Sequence, residues 1–124
     1  MTALSVREAE ERVAALRRTQ AGEEPERRAR ESETLLELSA AYERADRGED
    51  AVAAARAGVE ALSTVFLAQP ARLAVPMRTI VSHYVALAGR SGTRPDEALL
   101  APIAQALGDL ERHADADDLS LIHI

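Results

Sequence analysis

Apolar residues along this chain recur every three or four positions, the spacing that puts side chains on one face of an α-helix. The first stripe, Ala9, Val13 and Leu16, predicts a helix over residues 5–20. Ser5 and Glu8 stand three apart at its start, the pattern of a capping box. "AGEEP" interrupts the periodicity. A second helix is expected over 25–46, with Pro25 in the first turn, where a missing N–H costs nothing. Its opening, "ERRARESE", is almost wholly charged, and Leu35, Leu38, Tyr42 and Ala45 then form its stripe. Gly48 is the expected left-handed stop.

The third helix is expected over 49–68, with Ala51, Ala55, Gly58, Leu62 and Phe66 on one face. So many small residues let a neighbouring helix come close. The fourth covers 71–89, with Met77, Ile80, Tyr84 and Leu87 inward, and Pro76 either kinks it or lies in its first turn. "GRSGTRPDE" reads as a loop in which Thr93 caps the next helix and Asp96 is its capping-box partner. The fifth helix is expected over 94–113, with Leu99, Ile103, Ala106 and Leu110 on one side and a bend at Pro102. No segment shows the strict alternation of a half-buried strand. The chain is therefore expected to be all-α, with about five helices.

Composition narrows the function. The chain has 124 residues, the length of one domain or part of one. Aromatics make up 2%, so the core must be built from Ala, Leu and Val. The net charge is −6, and no basic stripe with interleaved aromatics offsets it, so nucleic acid is not an expected partner. Without cysteine there is no disulfide framework, thiolate metal site or cysteine nucleophile. "MTALSVREAEER" places charges too early for a signal peptide. The apolar run "ALSTVFLA" is far too short to cross a bilayer. A cytoplasmic protein without membrane attachment is expected. All 15 basic residues are arginine, and this Ala- and Arg-rich usage is that of a high-GC bacterial genome.

The helices repeat. At a spacing of 42, Leu35 falls on Met77, Leu38 on Ile80 and Tyr42 on Tyr84; Ala9, Val13 and Leu16 likewise fall on Ala51, Ala55 and Gly58. The fifth helix follows the third if Ala98 matches Ala51. In "LLELSAAYERADRGEDAVAAARAGVEAL" the large residues Leu35, Leu38 and Tyr42 are followed by small residues at Ala51 and Gly58. In this the chain resembles a tetratricopeptide repeat (TPR) protein over residues 25–113. The resemblance implies antiparallel helix hairpins stacked as an α-solenoid fragment. Two features depart from the family: Ser39 and Val81 stand where glycine is usual, and the repeat exceeds 34 residues, which implies longer helices. Such long-helix repeats are similar to those of large actinobacterial regulatory and signalling proteins.

No enzyme motif emerges. None of His83, His113 and His123 has a second His or a Glu at metal-binding spacing. The acid pairs Glu33/Glu37, Glu23/Glu24 and Asp117/Asp118 read as solvated faces or loops. Glycines occur singly, without a phosphate-binding loop, and Ser5, Ser39, Ser63 and Ser82 lack a nucleophile elbow. No catalytic residue, metal or cofactor is expected. His83 beside Tyr84 reads either as a packed histidine or as a ligand contact in a groove.

The family resemblance implies a concave groove for a partner protein or peptide. From the second helix it would be lined by Glu33, Leu36, Glu37, Ala40, Glu43 and Arg44, and from the fourth by Arg78, Thr79, Ser82 and Val85. The Lys and Asn pattern that clamps a C-terminal carboxylate in some family members is absent, with Leu36 and Ala40 where it would begin. Part of this surface could instead pack on further repeats. The expected function is a non-catalytic protein–protein interaction or scaffold module, forming the N-terminal part of a larger regulatory or signalling protein. The alternative is a self-contained helical bundle that dimerises or binds a small apolar ligand. Self-association through an exposed terminal helix is a further expectation. A catalytic domain in a part absent from this sequence would leave no trace here.

The chain ends on "LSLIHI" (119–124), four aliphatics within six residues, after a stretch rich in aspartate. It resembles a translation of the DNA end used in transposase-based sequencing libraries, CTG-TCT-CTT-ATA-CAC-ATC. Residues 1–118 are accordingly expected to be the helical-repeat domain, cut short, and 119–124 a non-native tail.

Overall fold

The structure, a computed structural model, describes residues 4–19 and 24–122, with side chains up to residue 113. It is built from α1 (Val6–Thr19), α2 (Glu24–Arg44), α3 (Gly48–Ala68), α4 (Pro70–Arg90) and α5 (Glu97–Ile122), with no strand among the described residues. The all-α expectation holds, and four of the five helices lie within three residues of their expected bounds. The exception is α5, which continues to Ile122. The side chains of the 119–124 tail lie outside the described residues.

Local chemistry explains the ends. Ser5 Oγ accepts from the Glu8 N–H at 3.2 Å, the first half of the expected capping box; the Glu8 carboxylate returns to the Ser5 hydroxyl at 3.2 Å rather than to its backbone. α2 ends in a Schellman motif. The Arg47 N–H reaches the Tyr42 carbonyl at 2.9 Å and the Asp46 N–H that of Glu43 at 3.1 Å. The left-handed residue is Asp46 (φ 60°), not the expected Gly48, which already opens α3. α4 ends the same way with Gly92 (φ 69°), the Thr93 N–H bonding the Ala88 carbonyl at 2.8 Å. The expected Thr93 cap is replaced by Asp96, whose Oδ1 accepts from the Leu99 N–H at 3.1 Å. Pro76 lies inside α4, beyond its first turn, and Pro102 lies inside α5.

Cross-helix contacts fix the directions. Arg44 reaches the Leu4 carbonyl, Tyr42 the Glu10 carboxylate, Arg12 Glu37 and Arg17 Glu31, so α1 and α2 run antiparallel. Ser39 meets Ala51 and Ser32 meets Gly58, so α3 returns antiparallel to α2. Tyr84 bonds the Asp96 N–H and Arg78 pairs with Glu111, so α5 runs antiparallel to α4. Pairing of Glu26 with Arg72 and of Glu43 with Arg90 sets α2 and α4 side by side and parallel. Each helix packs on its neighbours and, from α2 on, on the next helix but one; among the described residues α1 meets neither α4 nor α5.

α3 is the central helix. Val59, Leu62, Val65 and Phe66 join α4 and Ile103 of α5 in the larger apolar core. Ala54, with Ala57 and Ala61 partly buried, packs against Ala9, Val13, Leu35 and Leu38. Ala54, Ala57 and Ala61 in the smaller core, with Ala51, Ala55 and the larger side chains in the other, account for a 21-residue helix buried on several sides. By length and composition α3 could cross a bilayer, which corrects the expectation that no segment is long enough; half of that apolar stretch is buried inside the protein. The match of Ala98 to Ala51 is also corrected. Ala98 is exposed, whereas Leu99, one residue on, packs on the core.

The tightest approach is at Gly58. A Cβ there would lie 2.9 Å from Ile80 Cδ1 and 3.4 Å from the Ser32 carbonyl oxygen. Ile80 is 1% exposed and cannot swing into solvent. Overpacking of Gly58→Ala should cost about 1–3 kcal/mol, against about 1 kcal/mol regained in helix propensity. The expected outcome is a lower urea midpoint, with Ile80→Val partly relieving the loss in the double variant. A midpoint raised by Gly58→Ala, as helix propensity alone would give, would refute the close approach. In the turn between α2 and α3, Asp46→Gly should raise stability by about 0.5–1 kcal/mol, because glycine carries no Cβ penalty at positive φ. A fall in thermal midpoint would contradict that account.

Candidate functional site

The parallel pair α2 and α4 does not close along its whole length. Between them lies a cleft of about 280 Å³ lined by Ala29, Ser32, Glu33, Leu36, Pro76, Thr79 and Ile80. Ala29 and Ser32 contribute only small side chains to its lining. Leu36 and Ile80 form the apolar wall, and both also touch the core. Thr79 bonds its own helix, donating to the Val75 carbonyl at 3.1 Å.

Ser32 is 3% exposed, yet its hydroxyl makes no hydrogen bond among the described residues. Glu33 stands at the rim, exposed and without an ion-pair partner among those residues. The cleft thus combines aliphatic walls, one unengaged hydroxyl and one unengaged carboxylate.

Further along the same seam lies a polar contact invisible to sequence spacing. The Ser39 hydroxyl, 0% exposed, donates to the Ala51 carbonyl at 2.7 Å and lies 3.3 Å from His83 Nε2. With its hydrogen engaged on Ala51, Ser39 can only accept from His83, which assigns the Nε2–H tautomer. Despite the Ser–His proximity, the serine proton points away from the imidazole, the reverse of nucleophile activation. Burial pushes the His83 pKa below its ordinary value; Glu43 opposes and Arg90 adds to that shift. On the α1 side, the Tyr42 pKa is raised by burial and by its 2.7 Å hydrogen bond to Glu10, while Arg47 stacks 4.6 Å from its ring.

The ten residues expected to line a groove do not stay together. Glu33, Leu36 and Thr79 line the cleft. Glu43 lies beyond it, paired with Arg90 at 2.8 Å. Ala40 is half-buried on α2, and Ser82 and Val85 are exposed on α4. Glu37 and Arg44 turn instead to α1, through Arg12 and the Leu4 carbonyl, and Arg78 turns to Glu111 of α5. Ala29, Ser32, Pro76 and Ile80 join the cleft unannounced by the helical spacing, which marks only Ile80, as core. No group of acidic or histidine side chains suited to a metal ion occurs among the described residues. Compared with known protein families, with characterised proteins and with solved structures, the chain matches none.

The lowered His83 pKa has a stability consequence. The unfolded chain takes up the proton first, near pH 6.5. The stability that His83 contributes is therefore present above about pH 6.5 and is lost as pH falls through the folded-state value. An NMR titration should place its midpoint below that of a free histidine. His83→Gln, which keeps an N–H for Ser39, should reduce the loss of stability on going from neutral to mildly acidic pH. An equally steep loss in the variant would remove His83 as its cause.

Proposed function

We propose that this chain is a non-catalytic helical-repeat module, of the tetratricopeptide type, that binds a segment of a partner protein along α2 and α4. The observation that carries the reading is the cleft between two parallel helices of equivalent rank in the repeat. Protein recognition by helical repeats uses extended surfaces of this kind, made by stacking one hairpin on the next. Val75 and Val85, 74% and 43% exposed, add exposed apolar area on α4. The open order of packing, in which α1 reaches neither α4 nor α5, supports a stack more than a closed bundle. The Ser39–His83 hydrogen-bond direction argues against nucleophilic chemistry at this seam. A place within a larger regulatory or signalling protein of the bacterial cytoplasm is part of the same proposal.

The test is selection from a displayed peptide library, followed by affinity measurement against the wild type and Leu36→Glu. Leu36 is only partly buried, so a charge at the cleft wall should block binding while the helical circular dichroism is kept. The expected outcome is binders weakened at least about tenfold by Leu36→Glu, a loss of 1.4 kcal/mol or more. Binders indifferent to Leu36→Glu, or no binders, would count against the reading.

A further inference from the structure

Resting on the groove reading, we infer that the α2–α4 cleft is a pocket for one arginine side chain of the partner segment. Size points to a single side chain, since about 280 Å³ lies just below the roughly 300–1,000 Å³ of sites that enclose a whole small molecule. The walls suit an aliphatic stem, with Leu36, Pro76 and Ile80 along its course. The polar groups suit a cationic head. Ser32 is a nearly buried hydroxyl with no partner among the described residues, and Glu33 is a rim carboxylate with none. Glu43 is paired with Arg90 and one oxygen of Glu26 with Arg72, whereas Glu33 has no ion-pair partner among the described residues. A guanidinium offers donors in a planar fork that can serve a carboxylate and a hydroxyl together, which a lysine ammonium does less well. The net charge of −6 also favours a basic partner.

The experiment titrates the isotope-labelled full chain by NMR with N-acetyl-arginine methylamide, and in parallel with the norleucine, lysine and glutamate analogues. The expected result is saturable shifts at Ser32, Glu33, Leu36 and Thr79, with the arginine probe bound about two- to fivefold more tightly than norleucine, as one exposed charge pair provides. Glu33→Gln should abolish that preference, and added salt should shrink it. Glu33 is exposed, so this variant should keep the wild-type circular dichroism. Equal binding of arginine and norleucine, or a lysine preference, would overturn the inference while leaving the groove reading in place. A preference that survives Glu33→Gln would also overturn it, as would the absence of any shift; peptide selection judges the groove itself separately. Sedimentation showing a dimer that Glu33→Gln dissociates would assign the cleft to a second copy and overturn the partner assignment.

Discussion

Three helices meet at one point where there is room for no side chain, and the rest of the stack is arranged around it. Gly58 of α3 brings its backbone against Ile80 of α4 and the Ser32 carbonyl of α2. Two turns away, Ser39 and Ala51 bring α2 and α3 together by a buried hydrogen bond. A glycine in mid-helix costs about 1 kcal/mol of helix propensity, and the compensation is close packing of two neighbours at once. With α2 and α4 both seated on α3 at this level, their mutual distance is set by α3 and not by their own side chains. The cleft between them follows from that geometry.

Polar contacts then choose the axial register. Glu26–Arg72 and Glu43–Arg90 tie α2 to α4 near both ends of the pair. Exposed ion pairs are worth about 0–1 kcal/mol each, too little to hold the stack. Their effect is selective: sliding α4 by one turn would break both and would leave the buried Ser39 and half-buried His83 mismatched. Apolar burial supplies the adhesion, and the charged ends specify which of several similar alignments is adopted.

The sequence revealed most of the fold and less of the site. Helices whose apolar faces repeat cleanly were legible, because burial of Leu35, Leu38, Met77, Ile80 and Tyr84 depends only on helical period. Helix ends were less so: Gly48 had the right propensity for a left-handed stop, yet Asp46 sits where the hydrogen bonds close. Thr93 and Asp96 both have capping side chains, and only the geometry beside the Tyr84 hydroxyl selects Asp96. Glu37, Arg44 and Arg78 could not be placed from spacing, since a long charged side chain turns to whichever neighbouring helix offers a partner. Ser39–His83 joins residues 44 positions apart, and no local pattern announces it.

The cleft is not encoded in the spacing of the apolar stripes, for a more specific reason. Equivalent positions of α2 and α4 are 42 apart in their apolar stripes, but residues that touch across the seam are 44 to 47 apart. The contacting side chains are therefore offset by two to five residues, roughly 3–8 Å along the axes, from the spacing of 42. A spacing of 42 pairs Leu35 with Met77 and Leu38 with Ile80, whereas the cleft is lined by Ala29, Ser32 and Leu36 from one helix and by Pro76, Thr79 and Ile80 from the other. Several of these side chains are small, and a void remains between the helices. Ile80 belongs to both sides of this arrangement, its terminal carbon against the Gly58 backbone and its flank in the cleft. A side chain that occupies the cleft presses on the same residue that holds α3 and α4 together, so occupancy and the packing of the stack share one contact.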